Sequence, residues 1–152
     1  MINEQVSRNF NGSITNSYRK YDHGQNRETF MFAHYKDIAQ AKFVLCPSGL
    51  GFDTYRLWES MILGSIPVVE SNAGFDRTYA SLPVLVVRNY TDLNPDLLIR
   101  AYPCFENNAG RFRYEHLTQS YWLSLISTAI KTGSIEHIMR NHPPVNPYCS
   151  YM

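Results

Sequence analysis

The chain has 152 residues, enough for one domain with its own core, since a chain of this size buries roughly 68–70% of the surface it exposes when unfolded. It is 44% hydrophobic, 18% charged and 14% aromatic, with a formal net charge of +1, which leaves no electrostatic drive toward nucleic acid or an acidic membrane. No run approaches the ~20 apolar residues of a membrane span, and the opening MINEQVSRNF has no apolar core of the signal-peptide kind.

In chain order, residues 2–10 are expected to hold a short strand on Ile2, Val6 and Phe10, and residues 11–27, rich in Asn, Ser, Arg and Gly, a loop. Residues 1–27 thus read as a lead-in, 28–140 as the folded domain and 141–152, HPPVNPYCSYM with its flank, as a loosely ordered Pro-rich tail. From Glu28 to Ala41 apolar residues recur at helical spacing. Lys42–Cys46 reads as a buried strand, Pro47–Phe52 as a loop, and Asp53 or Thr54 as the cap of a helix that Gly64 ends. Ser65–Val69 is the next strand, and Asp76 is expected to cap a short helix to Ser81. Leu82–Val87 is a third apolar strand. A Pro-initiated helix starts at Pro95 and is expected to break near Pro103. Gly110–Thr132 carries the longest helical pattern, with its Tyr114–Trp122 aromatics expected to pack on the sheet rather than form an acceptor platform, and a short helix to Arg140 follows. Continuous apolar strands separated by helices predict a Rossmann-like α/β domain, a parallel sheet with helices on both faces, with one or two further strands from the N-terminal region.

Cys46, Cys104 and Cys149 are odd in number and lack metal-ligand spacing, so they read as free thiols, with one disulfide left open. His34, His116 and His137 are isolated on expected helices and read as surface or satisfied side chains. Two sequons occur, Asn11-Gly12-Ser13 and Asn89-Tyr90-Thr91, tripeptides that matter only where a chain meets the glycosylation machinery.

The chemistry concentrates in KFVLCPSGLGFDTYRLWESMILGSIPVVE, residues 42–70. Open parallel sheets bind ligands at the carboxyl ends of their strands, and Pro47–Phe52 lies at such an end. It feeds a helix N-terminus, which has unpaired N–H groups and a partial positive charge. With Gly49 and Gly51 allowing close backbone approach, the arrangement suits a phosphate. Arg56 in the first helical turn is poorly placed for the helix dipole unless a diphosphate lies in front of it. Glu59, three residues on, shares that face and suits a ribose diol. The plain alternative is a surface Arg56–Glu59 ion pair on an ordinary strand-to-helix turn, because the loop has neither the dinucleotide fingerprint nor a Walker lysine.

This stretch, followed by LPVLVV, resembles the C-terminal half of exostosin-like glycosyltransferases. The resemblance is carried by Cys46, Pro47, Gly49, Gly51, Asp53, Arg56, Trp58, Glu59, Gly64 and Ile66–Val69, then by Leu82–Leu85 and Val87. Tyr114–Ile126 is similar to the family's closing helix. Tyr55 stands where the family often has His. The resemblance implies a GT-B enzyme of two Rossmann-like halves, of which this chain has room for the donor-binding half. The acceptor half, where the catalytic base is expected, has no counterpart in it, so the catalytic residues stay unnamed.

The resemblance further implies a nucleotide-sugar donor, a UDP-sugar being favoured, a glycan or glycoprotein acceptor, no bound metal and the Golgi or ER lumen. The donor would lie on Ser48, Gly49, Gly51, Asp53, Thr54, Arg56 and Glu59, with Glu70 and Ser71 reaching the sugar. For Glu70 a solvated loop carboxylate is an equal alternative. The rival functional expectation is an inactive Rossmann-like binding or interaction module.

Overall fold

The computed structural model describes residues 26–134 and Cys149. The strand expected at 2–10, the further N-terminal strands, the helix ending at Arg140 and the rest of the tail lie outside the described residues. Asn26 opens the first helix, α1 (Arg27–Gln40), its Oδ1 accepting from Glu28 N at 3.0 Å. Then come β1 (Phe43–Leu45), α2 (Tyr55–Ile62), β2 (Ile66–Glu70), α3 (Asp76–Tyr79), β3 (Leu85–Val87), α4 (Pro95–Asn107) and α5 (Gln119–Thr132).

The three strands form one parallel sheet in the order β1-β2-β3, with Val44 opposite Pro67, Val68 opposite Leu85 and Glu70 opposite Val87. Strand side chains alternate between faces. Ile66, Val68, Leu85 and Val87 pack on one face with Leu97, Ala101 and Phe105 of α4. Val69, Val84 and Val86 pack on the other with Leu57 and Met61 of α2 and Tyr79 of α3. Both faces are covered, the Rossmann-like α/β arrangement that the continuous apolar strands predict.

Pro67 sits in the central strand although it cannot donate to a ladder. The register explains this. Ile66 N donates to Lys42 O, and Val68 O accepts from Cys46 N, so these residues bond toward β1. Residue 67 faces the β3 side, where pairing begins only at Val68–Leu85. Ser65 is buried and its hydroxyl lies 2.6 Å from Ile38 O and 2.7 Å from Ala41 O, tying the end of α1 to the foot of β2.

Five expectations are corrected. The helix at Pro95 does not break at Pro103 but runs to Asn107. Burial of Leu97, Ala101 and Phe105 along one face offsets the roughly 3 kcal/mol that an interior Pro costs. The helix expected from Gly110 to Thr132 is instead two short 3-10 turns, Ala109–Arg111 and Tyr114–Leu117, followed by α5. Phe112 is drawn into the core against Phe105, with ring centroids 5.9 Å apart, and extended Thr118 caps α5 through its hydroxyl.

Unlike Phe112, the aromatics between Tyr114 and Trp122 do not pack on the sheet. No residue of α5 is buried, and His116, Tyr121 and Trp122 pack on one another. Asp76 is not the cap of α3, whose N-cap position is Phe75. Its carboxylate accepts from Ser71 Oγ at 2.7 Å and Asn72 N at 2.8 Å, closing the loop after β2. Lastly, Cys104 and Cys149 form a disulfide, with Cys149 fully buried against the α4 face, and Cys46 is the free cysteine. Spacing could not reveal that bond, because its partners are 45 residues apart.

Candidate functional site

Two strand ends and one helix start meet at the carboxyl edge of the sheet. The β1 backbone runs through Cys46 into the loop 47–54, and Thr54 occupies the N-cap position of α2 in extended conformation. Its side chain makes no capping hydrogen bond, and within the first turn of α2 the Leu57 N–H is taken by Thr54 O at 3.1 Å. Asp53, the other expected cap, is used differently: its Oδ1 accepts from Trp58 Nε1 at 2.6 Å. That bond closes the loop onto the helix and sets Trp58 against the α2-side core. The loop is further closed by Gly49 N donating to Gly51 O at 3.0 Å. A side chain at Gly51 would meet nothing within 4 Å, so this glycine leaves open approach to the backbone. At the far end of α2, Gly64 takes a φ of 84° and ends the helix as expected, in the left-handed region that a side chain disfavours.

Arg56 and Glu59 both lie on the first half of α2 and both are partly exposed. The local Arg56–Glu59 ion pair does not form. Glu59 instead faces α1. Its Oε1 accepts from the Tyr35 hydroxyl at 3.2 Å, and its Oε2 lies 3.9 Å from His34 Nε2. Burial, then the charge of Glu59, raises the Tyr35 phenol above its ordinary range. Among the described residues the Arg56 guanidinium has no ion-pair partner. The charges of Arg56 and Glu59 both reach the Cys46 thiol, which burial pushes up to about 11. Cys46 is a buried, packed thiol 3.8 Å from the Ser60 hydroxyl, an environment that disfavours the thiolate.

Beside the helix start opens a cleft of about 70 Å³, lined by Ser48 and Phe52 of the loop, Glu70, Ser71 and Asn72 after β2, and Tyr90 after β3. Cys46 and Val69 reach it from the strands, Phe75 and Tyr79 from α3 and its approach. Phe52, Phe75 and Tyr79 form an aromatic row, with centroids 5.9 and 6.3 Å apart. Glu70 is exposed, and one of its oxygens, Oε1, accepts from Tyr90 N at 2.9 Å, so it is neither fully solvated nor fully used. The Ser71 hydroxyl is held by Asp76. The Tyr90 hydroxyl donates to Cys46 O at 3.1 Å, bridging β1 and the loop after β3.

Thus Ser48, Glu70 and Ser71 line one cleft, while Gly49, Gly51, Asp53, Thr54, Arg56 and Glu59 form its neighbouring loop and helix start. Sequence reasoning missed the aromatic wall of Phe52 and Phe75, the Tyr90 bridge and the Tyr35–His34 pair on Glu59. None of these has a local signal, since each arises from strand order and from α1 folding beside α2. His116 lies in the 3-10 turn Tyr114–Leu117 and is buried, with Nδ1 3.3 Å from Ser81 Oγ. Among the described residues no group of His, Cys, Asp and Glu side chains is arranged to hold a metal ion, and no helix is long and apolar enough to cross a membrane.

A family model described as the RXYLT1 C-terminal domain matches residues 3–97, more than half of the chain. No curated protein matches it. The match takes in the loop, all three strands, α2 and the residues that line the cleft. The chain belongs to the RXYLT1 C-terminal domain family, an exostosin-like, glycosyltransferase-related family, in agreement with the resemblance carried by residues 42–70.

Proposed function

We propose that this chain is the donor-binding domain of an exostosin-like glycosyltransferase, holding a nucleotide-sugar between the loop 47–54, the start of α2 and the cleft beside it. One observation carries the reading. The uncapped first turn of α2, an Arg56 with no ion-pair partner among the described residues and an anchored Glu59 carboxylate stand together at the carboxyl edge of a parallel sheet.

In this reading the backbone of Ser48–Gly51 and the Asp53–Thr54 helix start face the diphosphate. Arg56 and the helix dipole stabilise the charge that grows on the departing diphosphate. Glu59 has about four acceptor positions and spends one on the Tyr35 hydroxyl, leaving the others for a ribose diol. Tyr35 and His34 keep that carboxylate from turning. Glu70 and Ser71 face the sugar from the β2 edge, and the aromatic row offers an apolar wall. The donor favoured is a UDP-sugar and the acceptor a glycan or glycoprotein. The catalytic base is assigned to an acceptor domain, and no metal is called on.

Calorimetric titration of the full chain with UDP and with GDP tests this. Saturable binding that Glu59→Ala abolishes, in a variant whose thermal unfolding shows it folded, is the expected result. No binding to either nucleotide by the folded chain refutes it. One observation favours a second reading, an inactive interaction module: Trp122, Leu123, Ile126 and Ile130 are exposed along α5. Failure of the nucleotide titration moves the assignment there.

A further inference from the structure

Asn89-Tyr90-Thr91 is a sequon without Pro at its centre. The structure puts its asparagine in the open. Asn89 is exposed, in extended conformation between β3 and the 3-10 turn Tyr90–Asp92. Its Oδ1 caps that turn, accepting from Thr91 N and from Thr91 Oγ1, both at 2.8 Å. The amide nitrogen takes no part in the cap and has no hydrogen-bond partner among the described residues. The division of labour matters because glycosylation replaces one hydrogen on Nδ2 and leaves Oδ1 a carbonyl acceptor. A modified Asn89 therefore keeps the cap, and the fold accommodates the sugar at no cost in hydrogen bonds.

A sequon alone says little, since such tripeptides arise by chance. The independent observation is the Cys104–Cys149 disulfide, whose Cys149 is fully buried in the α4-side core. Stable disulfides belong to oxidising compartments, where eukaryotic chains also meet N-glycosylation. The bond gives the compartment and Asn89 gives the place.

We propose that Asn89 is an N-glycosylation site of this protein, which matures in an oxidising compartment. The co-reactant is an oligosaccharide carried on a polyprenyl diphosphate. Nδ2 forms a bond to the anomeric carbon, the bond from that carbon to the diphosphate oxygen breaks, the lipid diphosphate leaves with the electron pair, and Nδ2 loses one proton. The sugar then stands at the β3 rim of the cleft, next to Tyr90, which lines it.

The test is secretion of the full chain from a eukaryotic host behind a cleavable leader, followed by mass spectrometry of tryptic peptides. Cleavage after Arg88 and Arg100 isolates Asn89 from the other sequon. The expected result is that peptide-N-glycosidase, acting in ¹⁸O-water on the intact denatured chain before trypsin cuts it, yields an 89–100 peptide with labelled Asp at position 89. Asn89→Asp preserves a capping oxygen and is expected to fold and lose the modification, while Thr91→Ser is expected to retain it. Recovery of the 89–100 peptide wholly unmodified from the secreted wild-type chain overturns the proposal, with or without the disulfide formed. It leaves the nucleotide-binding reading untouched.

Discussion

Breaking the Cys104–Cys149 bond is expected to cost this domain a large part of its stability. The two residues are 45 apart in sequence, and both sit on the α4 face, Cys149 fully buried. In the chain-entropy description a 15-residue loop contributes about 3 kcal/mol and a 100-residue loop about 4.7, which puts a 45-residue loop at about 4 kcal/mol. At about 2–4 °C per kcal/mol for a chain of this size, the midpoint of thermal unfolding should fall by roughly 8–16 °C. The assay is a circular-dichroism melt of the wild type with and without reductant, beside a Cys104→Ala/Cys149→Ala double variant. Cys46→Ala is the control, since it leaves the bond intact and should keep the response to reductant. A wild-type melt indifferent to reductant, together with a non-reducing peptide map that lacks the 104–149 pair, refutes the reasoning.

Alkaline pH should unfold the chain partly through Cys46. Its folded value is about 11 against 9.0 for an unperturbed thiol, so stability is held below pH 9 and is lost as pH rises toward 11. Two pK units correspond to about 3 kcal/mol. Urea unfolding at pH 9 and pH 11 should show this loss, and Cys46→Ala should reduce it; an unchanged pH dependence counts against it. Tyr79 is buried and its hydroxyl has no hydrogen-bond partner among the described residues, while burial pushes its phenol up to about 12. Tyr79→Phe should therefore leave stability unchanged or raise it by about 1–3 kcal/mol, because an unmet buried hydroxyl is removed. A destabilisation of similar size in denaturant titration would mean that the hydroxyl has a partner after all.

Much of the fold was legible in the sequence because its signals are local. Apolar runs of strand length, the Gly64 stop and the helix start at Thr54 depend on neighbouring residues, and the structure reproduces each within a few positions. The helix continuing through Pro103 and the breaks between Gly110 and Gln119 were not legible. In both places burial of distant side chains, Phe105 and Phe112 above all, decides what the backbone does.

The candidate site divides the same way. The sequence by itself determined that a loop, a helix N-terminus, Arg56 and Glu59 stand at a strand's carboxyl end, because consecutive residues of one strand–loop–helix unit cannot be far apart. Only the tertiary structure decided that Glu59 turns to Tyr35 and His34 and leaves Arg56 without an ion-pair partner among the described residues. It alone brought Glu70, Tyr90 and the aromatic row to one cleft and joined Cys104 to Cys149. The Glu59, Glu70, Tyr90 and disulfide contacts join residues 20 to 45 positions apart, and no periodicity or spacing encodes which distant segments the parallel sheet sets side by side.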